Sequence, residues 1–125
     1  MAQATFYRCN KCGNLFAVVQ KGTCVPQCCG EPMEELVAGS VDAAAEKHVP
    51  AVTRQDGAIS VQVGSVEHPM LDEHHIAWIA LSAPDRLGIR FLEPGQKPAV
   101  NFNVDVDDVT MYEYCNLHGL WKAEA

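Results

Sequence analysis

Val100 to Val106 reads VNFNVDV, with Val100, Phe102, Val104 and Val106 alternating with Asn101, Asn103 and Asp105. Successive side chains on an extended chain point to opposite faces, so this pattern specifies a strand with one face on a core and the other in water. Working outward, Ala51–Arg54 and Ala58–Val63 flank Gln55-Asp56-Gly57, where Asp-Gly signals a hairpin because glycine accepts positive φ. Strands are also expected over His75–Leu81, Leu87–Leu92, Val109–Tyr114 and Leu120–Ala123, separated by turn-rich pieces such as EPGQKP. VDAAAEKH, at 41–48, holds the one candidate helical turn, and Val49-Pro50 limits its extension. This succession of short strands predicts a mainly β protein whose larger part is an antiparallel sandwich of immunoglobulin-like type.

Before about residue 38 the composition differs. Five of the six cysteines lie there, with Pro26 and Pro32 as breaks and only FY at 6–7 and LFAVV at 15–19 as apolar runs. A piece shorter than about 40 residues buries too little apolar surface to fold alone, so it needs a metal, disulfides or a docking partner. We therefore expect a small metal-knuckle domain at 1–37 and the sandwich at 38–125. Cys9 and Cys12 form Cys-x-x-Cys, and Cys28 and Cys29 are adjacent in QCCGEPM. Such local spacings suit convergence on one ion better than long-range cross-links, and the start, MAQATFYRC, has no secretory pattern. Four thiolates satisfy zinc or a single iron. Adjacent ligands skew the angle between their sulfurs, which favours a distorted four-sulfur iron. Cys24 is then a spare thiol.

The five histidines all fall in the strand-rich part, in EKHVP (His48), VEHPM (His68), DEHHI (His74 and His75) and CNLH (His118). Loops at one end of a sandwich converge in space and can surround one ion. Cys115 and His118 are an odd number of positions apart and cannot share a strand face, so the chain must turn between them, as Asn116 and Gly119 allow. Four imidazoles and a thiolate exceed the four positions of structural zinc, and no methionine follows Cys115 to complete a blue-copper site. A five-coordinate ferrous iron with one open position accommodates them all.

FYRCNKCGN followed by CCGEPM resembles desulforedoxin, while EKHVP, VGSVEHPM, HHIAWI and EYCNLHGLWKA resemble the catalytic part of desulfoferrodoxin. The resemblance spans essentially the whole chain and implies a superoxide reductase with two non-haem irons. By it, Cys9, Cys12, Cys28 and Cys29 hold the four-sulfur iron; His48, His68, His74 and His118 are equatorial ligands of the catalytic iron and Cys115 its axial thiolate. Aligning the Trp78 segment assigns the ligand of DEHHI to His74 rather than His75. The resemblance further implies that Lys47 attracts superoxide, that Glu46 binds the iron once it is ferric, and that the product is hydrogen peroxide. A rubredoxin-type donor would restore the electron, and a homodimer is the common state.

Nine basic residues against 16 acidic ones give a net charge of −7 with no basic stripe, and no apolar run is long enough to span a bilayer. Neither nucleic acid nor a membrane is an expected partner, and the expected location is cytoplasmic. A superoxide anion meets overall repulsion, so local positive charge such as Lys47 must override it. Two rival readings stand beside this one: a non-enzymatic iron electron carrier with incidental histidines, and a zinc-stabilised binding module.

Overall fold

Short antiparallel strands build both parts of the chain in the computed structural model, which describes residues 3–125. One compact unit runs from Ala4 to Val37, and the chain from Ala38 to Ala125 belongs to a second. The first unit contains β1 (Phe6–Arg8), β2 (Leu15–Ala17), β3 (Gln27–Cys28), β4 (Glu31–Pro32) and β5 (Glu34–Glu35), arranged as a sheet of order β2-β1-β5 and a β3-β4 ribbon. Its core cluster is Tyr7, Cys9 and Met33, with Val18 and Cys28 packed against it. Burying a large apolar side chain is worth about 1.5–3 kcal/mol, whereas ordering each backbone residue costs about 1–2 kcal/mol. So small a core cannot hold the unit together without further cross-linking. The ribbon and β5 carry no sequence signal because strands of two residues show no period.

The second unit opens with α1 (Ala45–His48), a single turn, followed by β6 (Pro50–Gln55), β7 (Ala58–Val63), β8 (Ile76–Ala83), β9 (Arg86–Phe91), β10 (Ala99–Phe102), β11 (Thr110–Cys115) and β12 (Gly119–Glu124). They form two sheets, β10-β7-β6 and β12-β11-β8-β9, with every pairing antiparallel. Asp56 and Gly57 turn the β6–β7 hairpin with φ of 52° and 75°, the left-handed pair of a type I′ turn. Between the sheets lies a core of Ile59, Val61 and Val63 from β7, Ile76, Ile79 and Leu81 from β8, and Met111 and Cys115 from β11, joined by Phe102 and Val109. On β8 the inward residues change from even to odd numbers, Ile76 and then Ile79 and Leu81, because the register with β11 shifts: Tyr114 faces Trp78 while Cys115 faces Ile76. The extra β8 residue, Ala77, keeps Ile76 on the core face opposite Cys115 at the sheet end.

VNFNVDV is a strand only as far as Phe102. Phe102 pairs with Ile59, and one residue further β7 reaches the Asp56-Gly57 turn, so the ladder has no partner for the rest. The Arg54 guanidinium donates instead to the carbonyls of Val106 and Asp107. Val104 and Val106 still pack on the core, so the alternation correctly marks what is buried while overstating the strand.

Candidate metal centres

In the small unit, Cys9 follows β1 and Cys12 lies one turn on, where its N–H points at the Cys9 sulfur (3.5 Å). Backbone N–H groups of Cys12 and Lys11 lower the Cys9 pKa to about 6. Cys29 and Gly30 form the two-residue turn between β3 and β4, with φ of 54° and 74°. A left-handed non-glycine residue costs about 1–2 kcal/mol, and here it bends the chain between two neighbouring ligands. The four sulfurs of Cys9, Cys12, Cys28 and Cys29 all lie within 4.8 Å of one another, and those of Cys12 and Cys28 are 3.6 Å apart. A tetrahedral ion with metal–sulfur bonds of about 2.3 Å needs sulfurs about 3.8 Å apart, so the donors fit. The neighbouring Cys12 and Cys9 thiols push Cys29 up to about 12. Four thiolates this close repel, and a cation at their centre turns the repulsion into binding. Cys24 is exposed and lies outside the group, its sulfur 3.9 Å from the Thr23 hydroxyl.

In the sandwich, His48 ends α1 and its Nδ1–H donates to the Ala44 carbonyl one turn back (2.7 Å), while His68 Nδ1–H donates to the Pro69 carbonyl (2.7 Å). A carbonyl only accepts, so both protons sit on Nδ1 and both Nε2 atoms present lone pairs. Burial holds His48 low and His68 at about 4, keeping both imidazoles neutral. Their Nε2 atoms face each other at 3.1 Å, a repulsive arrangement unless a cation lies between them. His118 brings Nδ1 to 3.1 Å from His48 Nε2, and His74 Nε2 is buried with no hydrogen-bond partner among the described residues.

The four rings form a square. Consecutive centroids around His48, His68, His74 and His118 are 4.6, 4.6, 5.0 and 4.9 Å apart with near-perpendicular planes, and the His48–His74 diagonal is 6.4 Å. Cys115 Sγ lies 3.5 Å from His68 Nε2 and 3.9 Å from His118 Nδ1. It is fully buried, which raises its pKa, while backbone N–H groups of Leu117 and His118 pull the other way. The Cys115–Gly119 pair closes the β11–β12 hairpin, and the loop it spans supplies His118. Neutral imidazole lone pairs, an orphaned buried nitrogen and a buried sulfur are what a transition metal requires, and five donors are one more than closed tetrahedral zinc takes.

His75 stays outside this group, with Nδ1 toward the Leu71 carbonyl (3.1 Å). Glu46 and Lys47 have exposed side chains on α1. The Glu46 carbonyl accepts from Val66 N–H (2.9 Å) and the Ser65 hydroxyl (3.2 Å). Lys47 lines an open cavity together with His68.

Sequence reasoning missed several supports. Trp121 stacks on His48 (5.1 Å between centroids) and donates Nε1–H to the His118 carbonyl (3.0 Å). The Asn116 side chain accepts from His75 N–H and donates to the Glu73 carbonyl (2.9 and 3.1 Å), pinning the hairpin loop to the His74 loop. A Cβ on Gly64 would come within 2.5 Å of the Glu46 carbonyl oxygen, so this backbone fits against the α1 turn only as glycine. Glu113 shares the inward face of β11 with Cys115, has no partner for either oxygen among the described residues, and is pushed by burial to about 9, which keeps it protonated at neutral pH. A glutamate in a strand reads as solvent-facing, and nothing in the sequence marks this one as buried.

Comparison with known proteins agrees with both centres. The family model described as desulfoferrodoxin matches residues 40–124, and that of the desulfoferrodoxin N-terminal domain matches residues 2–36. A desulfoferrodoxin of Nitratidesulfovibrio vulgaris is 46% identical, with 98% of each chain covered, and one of Desulfarculus baarsii is 45% identical over 94% of each. The crystal structure of the superoxide reductase from Treponema pallidum superposes with a TM-score of 0.78 at 34% identity, covering 97% of this chain and 98% of that one. Together with a four-cysteine group and a four-histidine, one-cysteine group that match the two iron centres expected, these matches place the chain in the desulfoferrodoxin family.

Proposed function

We propose that this protein is a superoxide reductase that converts superoxide to hydrogen peroxide at the centre formed by His48, His68, His74, His118 and Cys115. The observation that carries the reading is the square of four imidazoles with one buried sulfur beside it. Such a donor set exceeds structural zinc and suits iron with a coordination position free for substrate. It also argues against an electron carrier with incidental histidines, because scattered imidazoles would not leave lone pairs facing across 3.1 Å.

The overall step takes one superoxide, one electron and two protons to one hydrogen peroxide. Bound ferrous iron supplies the single electron. The Ala44 and Pro69 carbonyls fix the tautomers of His48 and His68, and Trp121 shields the His48 ring from water. Leu117 and His118 N–H groups orient the Cys115 sulfur, which would donate electron density to a bound iron. Lys47 at the cavity draws the anion inward against the net charge of −7. Glu46, its neighbour on α1, would offer its carboxylate to the bound iron once oxidised. Solvent provides the protons, and an external donor of rubredoxin type restores the electron. Cys9, Cys12, Cys28 and Cys29 hold the second iron in a domain of residues 1–37, with the catalytic domain at 38–125, and the protein works as a cytoplasmic homodimer.

Cys115→Ser tests the reading. The variant is expected to lose the thiolate optical band of the catalytic iron and to react with superoxide at least about 100-fold more slowly, the scale set by losing a main electronic contribution. Retention of both band and rate would make Cys115 a core thiol only.

A further inference from the structure

The cavity that holds Lys47 and His68 carries a second cation. It is open, about 710 Å³ in volume, and Lys97 and Glu67 are the other charged residues lining it. That volume admits a diatomic anion with several waters, each needing about 30 Å³. Lys47 comes from α1, Glu67 and His68 from the loop after β7, and Lys97 from the loop between β9 and β10.

The Lys97 loop is tied to the His68 loop rather than loosely apposed to it. Gly95 N–H donates to the Met70 carbonyl (2.8 Å), Val63 N–H to the Pro98 carbonyl (2.8 Å), and His68 N–H to the Val63 carbonyl (2.9 Å). Among the described residues neither Lys47 nor Lys97 has an ion-pair partner, so both charges face the cavity and solvent unneutralised. The two lysines against Glu67 make the wall positive; without Lys97 it would be neutral. On a chain of net charge −7 that one residue adds a unit of positive charge to the wall a small anion meets.

We propose that Lys97 is a second steering residue, acting with Lys47 to draw superoxide toward the His68 side of the centre; this rests on the superoxide reductase reading. Lys97 acts on encounter alone and touches no reacting atom. One unit charge at about 8 Å in water changes an encounter rate about two- to threefold, and reversing it about fivefold or more.

The test measures the second-order rate of the reduced, iron-loaded full-length protein with superoxide by pulse radiolysis, at low and high ionic strength. Lys97→Gln should be about two- to threefold slower at low salt, Lys97→Glu about fivefold slower, and Glu67→Gln about twofold faster. These differences should vanish near 1 M salt, where the screening length is about 3 Å, with optical bands unchanged throughout. Equal rates for the Lys97 variants and the unmodified protein at low salt would overturn the steering role alone. A deficit that persists at high salt with altered bands would overturn it too, by placing Lys97 in the structure of the centre. Failure of the unmodified protein to react would overturn the superoxide reading and the role of Lys97 with it.

Discussion

In the small unit Cys9 is at once a candidate metal ligand and one of the three residues of the buried core cluster, whereas in the sandwich Cys115 is one candidate ligand among eleven buried core residues. Remove the ligands from the first and little remains to exclude water. Remove them from the second and Ile59, Val61, Ile79, Leu81 and Met111 still pack between two sheets. One unit depends on its metal to fold; the other folds and thereby holds four imidazoles at a spacing they would not choose alone.

Metal removal probes that contrast most strongly. Structural metals contribute about 10–16 kcal/mol to comparable small domains, so stripping iron should unfold Ala4–Val37 while the sandwich stays native. Hydrogen exchange by peptide would read full loss of protection in the first and retained protection in β7, β8 and β11. Protection surviving in both units would break the comparison.

Gly64→Ala should act on one centre only. The new Cβ meets the Glu46 carbonyl at 2.5 Å and the Lys47 carbonyl carbon at 2.9 Å, an overpacking worth about 1–3 kcal/mol. The displaced α1 turn carries His48, so iron occupancy of the histidine centre should fall while the four-sulfur absorption stays constant. Equal loss from both centres would mean that the strain spreads beyond the sandwich.

A smaller effect, spread over pH, sharpens the view that folding holds the imidazoles neutral. Burial depresses His68 from 6.5 to about 4. A lowered folded pKa means its contribution is fully present above 6.5 and is lost as pH falls through about 4. Urea midpoints of the metal-free protein should therefore decline over that window, and His68→Gln should flatten the decline. An unchanged slope would remove His68 from the titration.

Much of this was legible in the chain because each feature has a local signature. Short runs between turn signals located β7, β8 and β11 to within two residues, Asp56-Gly57 located its hairpin, and histidines at strand ends located the loops that converge. The odd spacing of Cys115 and His118 required the turn that the β11–β12 hairpin provides. What was not legible depends on contacts distant in sequence. Trp121 over His48, Asn116 bridging to Glu73 and the close fit of Gly64 against Glu46 arise only when loops meet. The early end of VNFNVDV follows from the length of its partner strand, which no pattern within the segment encodes.

A histidine–cysteine centre that reduces superoxide differs in its products from one that dismutates it or merely carries electrons. Mixing the fully reduced protein anaerobically with a limiting amount of superoxide, and measuring hydrogen peroxide and oxygen together, tests this directly. Reduction yields one hydrogen peroxide per superoxide consumed, one histidine-centre iron oxidised, and no oxygen. Oxygen released at half the superoxide consumed, or superoxide left to decay at its unassisted rate, would contradict it.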